Sequence, residues 1–339
     1  MRICGLSIIL FLVLVLVLVQ HSEELSSSHP LHGVVDKVNE NAGPYLGLVM
    51  AIPAEVDVLQ SSGLFIPNSD LPLVDLSGRI FNIGSIRGVD VIYVMCGQRR
   101  LNAGITVQIL LDVFDISGIV HYGIAGSAND SLSFGDVSVP KYVAFTGSWT
   151  WSKFTSENSQ FTKLRFGTYN LPEEGENLLA NIEFKPEEFY SVGKPMEKVF
   201  WLAVDLQWFD IASQLQDLEL QRCVNETYCL PKTPKVEYGL RGSTADIFVD
   251  NAAYRKFLFK EFNVSTVDEE SAAIIMTAMS TGVPCIVFRG VSDLAGGDDK
   301  LSSMSLSSLA ASNALYVAIE FIELIGNKRL TLTSKRALN

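Results

Sequence analysis

Histidine, cysteine and cationic residues are scarce in this chain of 339 residues, and each scarcity excludes a class of site. The 4 His and 5 Cys residues show no spacing typical of a metal site, so we expect no bound metal. Lys and Arg number 26 against 38 Asp and Glu, and the formal net charge of -12 disfavours binding to nucleic acids or anionic membranes. Apolar residues make up 48% of the chain, enough for a sizeable core, so disorder is excluded as its main state.

The N-terminus carries an unbroken apolar run, residues 8–19, which follows Arg2 and ends in the polar residues 20–29. The run is too short to cross a bilayer, which takes about 20 residues of helix. The pattern predicts a signal peptide in residues 1–28, with cleavage between residues 22 and 28. We therefore expect the chain to enter the secretory pathway and to have no stable membrane association after cleavage. A retained signal anchor is the alternative, disfavoured by the short run.

Secretion would allow glycosylation and disulfide formation. Cys223 and Cys229 flank a short polar stretch, and we predict that they form a disulfide. Cys96 and Cys285 lie in strand-like apolar runs and are predicted to be buried free thiols. Three Asn-x-Ser/Thr sequons are candidate N-glycosylation sites: Asn129, Asn225 and Asn263.

From residue 45 onward, short apolar runs alternate with helical stretches, which favours an α/β fold with a mainly parallel sheet. The pattern fades over residues 147–234, which contain all 4 Trp residues, and we interpret this stretch as a long insertion. An apolar helix is predicted over residues 306–325, with Gly326 as its C-cap. We expect one domain over residues 45–326, including the insertion, and a C-terminal tail over residues 327–339.

Four segments place polar or glycine residues at the carboxyl ends of predicted strands, where open α/β sheets bind ligands. Glu55 opens a helix after the first strand, a position that also suits a carboxylate because of the helix dipole. Residues 121–128 end in small residues that let a flat ligand approach the backbone. Acidic residues 268–270 precede an apolar helix, and Asp293 ends a buried strand. The last of the four segments combines glycine with cations suited to holding an anion: Gly97, Arg99 and Arg100.

Together these segments resemble the nucleoside phosphorylase and nucleosidase superfamily, and within it the methylthioadenosine/S-adenosylhomocysteine nucleosidase branch. The resemblance covers roughly residues 45–145 and 236–326. It implies a three-layer α/β fold, in which a twisted, mostly parallel central sheet has helices on both faces. It also implies cleavage of the N-glycosidic bond of a purine nucleoside, without a cofactor, by a homo-oligomer.

The resemblance implies a role for each matched position. Asp293 would protonate N7 of the purine, which makes the base a better leaving group, and Ser292 would orient Asp293. Glu270 would accept hydrogen bonds from the ribose hydroxyls, and Glu55 would activate the attacking water. The remaining residues expected to contact the substrate are Arg289, Ala125, Gly126, and Phe248 or Val249.

Two departures from the family pattern affect substrate and chemistry. Glu269 stands where the nucleosidases have a methionine, and its charge is expected to exclude a methylthio group beside the sugar. The phosphorylases' Gly-Asp-Pro loop is absent and Glu55 favours water, whereas Arg99 and Arg100 keep phosphate as a candidate co-substrate. Hydrolysis and phosphorolysis therefore both remain alternatives.

The chain also resembles plant bark and vegetative storage proteins and wound-inducible proteins built on the same fold. A storage or wound-induced protein with little or no catalysis is therefore the alternative function. The vacuole and the extracellular space are the alternative destinations within the secretory route.

Overall fold

The computed structural model describes residues 27–152, 163–164, 181–296 and 304–337. The predicted signal peptide lies outside these residues except for its last two positions. The helices, in chain order, are α1 (His32–Asn41), α2 (Pro53–Ser62), α3 (Arg100–Val113), α4 (Leu206–Ala212), α5 (Ala252–Phe262), α6 (Ser271–Thr281) and α7 (Met304–Ala337). The strands are β1 (Tyr45–Met50), β2 (Phe65–Pro67), β3 (Leu73–Leu76), β4 (Arg79–Ile86), β5 (Val89–Met95), β6 (Ile116–Ser127), β7 (Val137–Phe145), β8 (Trp149–Ser152), β9 (Lys163–Leu164), β10 (Asn181–Phe184), β11 (Glu187–Phe189), β12 (Glu197–Val199), β13 (Trp201–Ala203), β14 (Val236–Thr244), β15 (Thr266–Asp268) and β16 (Cys285–Leu294).

A large mixed sheet forms the centre of the fold and, within the described residues, contains 11 strands. Its middle is parallel, because β1 pairs with β5 and β6 in the same direction and β16 runs parallel to β6. The strands β2, β3 and β4 extend one side with antiparallel pairings. Every residue of β1 is buried, as expected for a strand covered on both faces. The predicted α/β fold with a mostly parallel central sheet is confirmed.

Helices cover both faces of this sheet. Phe288 of β16 contacts Phe321 of α7, with ring centroids 5.4 Å apart. Gly47 of β1 faces Leu110 of α3 and pairs with Ile119 of β6. Phe288 of β16, which contacts α7, pairs with Tyr122 of β6. Because side chains alternate along a strand, positions 119 and 122 of β6 point to opposite faces, so α3 and α7 lie on opposite sides of the sheet.

The C-terminal helix continues beyond the predicted end at Gly326 and reaches Ala337, so the predicted C-cap is wrong. A side chain at Gly326 would overlap Val89 of β5, so this glycine permits close packing of helix on sheet. Among the described residues, only the stretch Leu306–Lys328 is long and apolar enough to cross a membrane. Its most apolar part is 72% buried inside the fold, which is typical of a core helix.

The described part of the predicted insertion packs onto the domain. Strand β13 extends the sheet by pairing antiparallel with β7, and Leu202 in this strand is buried in the main core. Trp208 of α4 packs against Phe321 of α7, with ring centroids 5.4 Å apart. Strands β8, β9 and β10 form a separate small sheet, as do β11 and β12. Residues 153–162 and 165–180 lie outside the described residues.

The predicted disulfide between Cys223 and Cys229 is present, and Cys96 and Cys285 are buried and free, as predicted. The three sequon asparagines differ in their surroundings. Two are exposed, one in the disulfide loop and one at the C-terminus of α5: Asn225 and Asn263. Asn129 is half-buried, and its side-chain amide donates a hydrogen bond to Ser265 Oγ at 3.3 Å.

Candidate active site

A cleft lies at the carboxyl ends of β1, β6, β15 and β16. This is the edge at which open parallel sheets bind ligands. The structure brings together eight of the residues that the sequence predicts for the site: Glu55, Ala125, Gly126, Phe248, Val249, Glu270, Ser292 and Asp293.

Glu55 is held in a fixed orientation at the floor of the cleft. It lies in the first turn of α2 and is 1% exposed. Its Oε2 accepts hydrogen bonds from the backbone N–H groups of Ala51 at 2.7 Å and Ile52 at 3.2 Å. Its Oε1 accepts from the N–H of Ile124 at 2.8 Å. Burial raises the pKa of Glu55, although the charge of Arg289 and these three hydrogen bonds oppose the rise.

Arg289 lies beneath the cleft and does not line it. Its guanidinium is 1% exposed, with Nη2 3.0 Å from Glu270 Oε2 and Nε 3.1 Å from Asp268 Oδ2. Nη1 lies 4.0 Å from Glu55 Oε1. Because a buried guanidinium requires nearby counter-charges, these carboxylates occupy its donors, and Arg289 is positioned to orient them. The sequence-based prediction that Arg289 contacts the substrate is therefore not supported by its position.

Glu270 occupies the N-cap position of α6 and is 5% exposed. One oxygen accepts from Arg289, and the other accepts from the backbone N–H of Arg99 at 3.0 Å. Burial raises the pKa of Glu270 to about 7; Arg289 opposes this rise, and the charges of Asp268 and Glu55 add to it. Glu270 therefore changes its charge near neutral pH.

Asp293 and Ser292 form the other end of the site. The pairing of β16 with β6 shifts by one residue between Val291 and Asp293, an irregularity that redirects side chains. Ser292 Oγ donates to Asp293 Oδ1 at 2.7 Å. Burial raises the pKa of Asp293, the hydrogen bond from Ser292 opposes the rise, and the charge of Asp250 adds to it. A raised pKa suits a carboxyl group that must carry a proton.

The two ends of the cleft are separated along β6. A side chain at Gly123 would overlap Glu55 Oε1, whereas a Cβ at Gly126 would lie 3.2 Å from Asp293 Oδ2. Three residues of extended strand, which separate these two positions of β6, span about 10 Å. A ligand bound along β6 would therefore have Glu55 and Glu270 at one end and Asp293 at the other.

The wall of the cleft between these ends is apolar. Phe248 and Val249 both line it; Phe248 is 76% exposed at the mouth, whereas Val249 is 9% exposed. Val267 of β15 pairs with Gly126 and completes this wall. An apolar wall with an aromatic ring at the mouth suits a flat heterocycle.

The predicted anion-binding residues lie beside the cleft and do not line it. Arg99 Nε is 3.6 Å from Glu269 Oε2, and Arg100 Nε is 2.8 Å from Asp246 Oδ2. Gly97 adopts a positive φ of 82° before α3. An anion at this position would have to compete with carboxylates that the two arginines already contact.

Sequence reasoning assigned no role to Asp268, which binds Arg289 and accepts from Thr244 Oγ1 at 2.6 Å. The run of three acidic residues was the available signal, but it could not show which carboxyl groups point inward. Asp246 was missed too, since nothing in the sequence pairs it with Arg100. Within the described residues, no group of three or more His, Cys, Asp and Glu is arranged to hold a metal ion.

Residues 45–323 match the family model of the phosphorylase superfamily, and the chain belongs to this superfamily. The family resemblance drawn from the sequence is confirmed.

The chain is similar to proteins with two different descriptions, a bark storage protein and nucleosidases. The chain is 41% identical over 287 residues to bark storage protein A of Populus deltoides, covering 84% of this chain and 90% of that protein. It is 23% identical over 282 residues to a 5'-methylthioadenosine/S-adenosylhomocysteine nucleosidase of Listeria innocua, covering 83% and 99%. The fold is similar to that of the corresponding nucleosidase from S. pneumoniae, solved with a transition-state inhibitor. For this pair the TM-score is 0.58 at 18% identity, covering 83% of this chain and 99% of the other.

Proposed function

We propose that the cleft hydrolyses the N-glycosidic bond of a purine nucleoside. The observation that carries this proposal is the placement of Glu55 and Asp293 at opposite ends of one cleft, with Glu270 beside Glu55. Cleavage of this bond needs an acid at the base and an activated nucleophile at the sugar. The two ends of the cleft supply these groups.

At the base end, Asp293 is the proton donor. Ser292 donates to Oδ1, and Oδ2 is the oxygen beside Gly126 at the cleft wall. Transfer of the proton from Asp293 to N7 of the purine lets the electron pair of the C1'–N9 bond move onto the base. Positive charge then develops on the sugar.

At the sugar end, Glu270 accepts hydrogen bonds from the ribose hydroxyls, and its negative charge stabilises the developing positive charge. Glu55 takes a proton from water while the water oxygen forms the new bond to C1'. The products are the free base and ribose, and proton exchange with solvent restores Glu55 and Asp293. Arg289 contacts both glutamates from below and keeps them oriented.

The charge of the site favours water over phosphate. Three carboxyl groups surround the single guanidinium of Arg289, so an anion beside Glu55 would meet repulsion. The cations of Arg99 and Arg100 already face carboxylates. Phosphorolysis is the outcome that the experiment below distinguishes.

A storage protein is the second candidate function, and the 41% identity to bark storage protein A favours it. Accumulation and catalysis are compatible, because storage places no demand on the cleft. A purified protein that releases no base from any nucleoside, yet accumulates to high abundance in its tissue, would support storage alone.

We also propose that the chain passes through the secretory pathway to the vacuole or the extracellular space and carries N-glycans. The disulfide between Cys223 and Cys229 supports this, because disulfides persist in oxidising compartments. We further propose a homo-oligomer, supported by exposed apolar side chains at Leu101 (72%) and Phe248 (76%). Light scattering after size exclusion tests the oligomer, and a loss of mass on glycosidase treatment tests the N-glycans.

The catalytic proposal is tested by incubating the purified chain with adenosine, inosine and guanosine, with and without phosphate, and quantifying free base and sugar products. We expect base and ribose without phosphate. Asp293→Asn should lower release about 10²–10⁴-fold, whereas Asp75→Asn, at an exposed position in β3, should leave it unchanged. Release that requires phosphate would replace hydrolysis with phosphorolysis, and no release from any nucleoside would refute catalysis.

A further inference from the structure

The apolar wall of the cleft is carried largely by one segment, residues 245–251, which joins β14 to α5. Ile247, Phe248 and Val249 of this segment all line the cleft. Val249 is 9% exposed, but Ile247 is 38% exposed and Phe248 is 76% exposed. Because Phe248 has little packing of its own, its position depends on how the segment is held.

Both ends of the segment are anchored to the domain. The backbone N–H of Ala245 donates to the carbonyl of Asp268 at 3.1 Å. Asn251 caps α5, because its Oδ1 accepts from the backbone N–H of Tyr254 at 2.8 Å. Gly296 packs closely against this end, since a Cβ there would lie 2.3 Å from the backbone N of Asn251. The wall residues lie between these two anchors.

An ion pair holds the segment directly beside its wall residues. Asp246 Oδ1 accepts from the backbone N–H of Arg100 at 3.1 Å, and Oδ2 accepts from Arg100 Nε at 2.8 Å. The Arg100 guanidinium also lies over the ring of Phe145, 5.7 Å from its centroid. A carboxylate that accepts through both oxygens is fixed in orientation as well as in position. Arg100 therefore ties the segment to the first turn of α3 and to the end of β7.

We infer that Arg100 and Asp246 are positioning residues that hold Phe248 and Val249 against a bound purine. This inference rests on the proposed function, in which the base lies beside Asp293 along the apolar wall. Arg100 and Asp246 do not line the cleft, so they act on the ligand through the segment. The role of Arg100 is then to shape the cleft and not to bind phosphate.

The expected effect is a loss of affinity. The ion pair is partly exposed, with the Arg100 side chain 43% and that of Asp246 39% exposed, so its contribution is modest. In Arg100→Met we expect KM for adenosine to rise about two- to fivefold with kcat unchanged. Asp246→Ala should have the same effect, because it breaks the same pair. The double variant should lose no more than either single variant.

Arg87→Met is the matched control. Arg87 is also a partly exposed arginine that pairs with carboxylates, those of Glu320 and Glu323. It precedes β5 and therefore lies at the opposite end of that strand from the cleft. Its replacement should leave KM unchanged.

Coupling to Phe248 separates positioning from a general loss of structure. Phe248→Ala removes the ring that the ion pair is inferred to hold, so adding Arg100→Met to it should raise KM by less than Arg100→Met does alone. Arg100→Lys keeps the charge but not the Nε donor, and it should recover only part of the affinity. An equal rise of KM in both backgrounds would overturn the inference.

Measuring adenosine binding by calorimetry, with and without phosphate, separates this inference from the proposed function. If the wild-type chain binds adenosine but releases no base, the proposed function fails, and weaker binding in Arg100→Met and Asp246→Ala would still support positioning. A loss in Arg100→Met that appears only with phosphate, together with tighter phosphate binding in Asp246→Ala, would instead assign Arg100 to an anion. Unchanged affinity in both single variants, or no adenosine binding by the wild-type chain, would also contradict the inference.

Discussion

Replacing Arg289 with methionine should destabilise the protein strongly at alkaline pH and much less at acidic pH. Arg289 is the buried counter-charge to Glu55, Asp268 and Glu270, all of which are nearly inaccessible to solvent. Methionine fills most of the space but supplies no charge. Three carboxyl groups would then face one another without compensation.

The magnitude follows from the energetics of buried ion pairs. Removing one partner of such a pair costs about 3–5 kcal/mol, and we expect this loss at pH 8. Burial favours a higher pKa for Asp268, but Arg289 and two hydroxyl groups keep this pKa lowered. The variant would lose the contribution of Arg289. The pKa of Glu270 is already raised to about 7 despite Arg289, and it would rise further.

The sign of the pH dependence is fixed by linkage. A carboxyl group whose pKa is higher in the folded state than in the unfolded state binds protons more tightly when folded. Such a group therefore lowers stability as the pH rises above its pKa in the unfolded chain, about 4.3. The loss continues until the group is ionised in both states. At pH 5 the carboxyl groups of the variant remain largely protonated, and we expect about half of the pH 8 loss or less.

Urea unfolding at pH 5 and pH 8, followed by tryptophan fluorescence, measures this difference, because Trp208 reports on the core around α7. Arg255→Met is the matched control. Arg255 is also buried, but its partner Asp130 is 67% exposed, so its removal leaves no buried charge. The control should lose similar stability at both pH values. An equal loss at both pH values in Arg289→Met would contradict the role of Arg289 as the buried counter-charge.

Three further predictions concern catalysis. Asp293→Asn should lower kcat about 10²–10⁴-fold with little change in KM, and steady-state kinetics showing an unchanged kcat would remove Asp293 as the proton donor. Gly123→Ala should lower kcat/KM by at least about tenfold with a native circular dichroism spectrum, because the new methyl group displaces Glu55; wild-type activity would contradict this. The wild-type kcat/KM should rise with pH as Glu270, with a pKa of about 7, becomes ionised, and Glu270→Gln should lose this limb between pH 5 and 8.5. A limb retained in that variant would assign the titration to another group.

The sequence was sufficient for Glu55 and Asp293, because their places follow directly from the strand pattern, whereas Phe248 and Val249 were implied by the family resemblance. A buried apolar run ending in polar residues locates a strand and its carboxyl end together, as for Glu55 after β1 and Asp293 in β16. The parallel arrangement then requires these ends to meet at one edge of the sheet. The predicted disulfide also followed from local spacing.

The sequence was insufficient where a residue's role depends on partners distant along the chain. Arg289 and Asp268 are 21 positions apart, and Arg100 and Asp246 are 146 positions apart. Nothing local shows whether a charged side chain points into the cleft or beneath it. The predicted end of α7 was wrong for a related reason. Gly326 permits close contact with Val89 and does not end the helix.

In the proposed reaction, Glu55 directs water to the sugar while Asp293 protonates the base. Adenosine turnover in phosphate-free buffer made with oxygen-18 water tests it most directly, with the products analysed by mass spectrometry. We expect the wild-type chain to form free adenine and ribose carrying one oxygen-18 atom, and Asp293→Asn to lose this activity. No adenine from the wild-type chain, or equal label incorporation by Asp293→Asn, would contradict it.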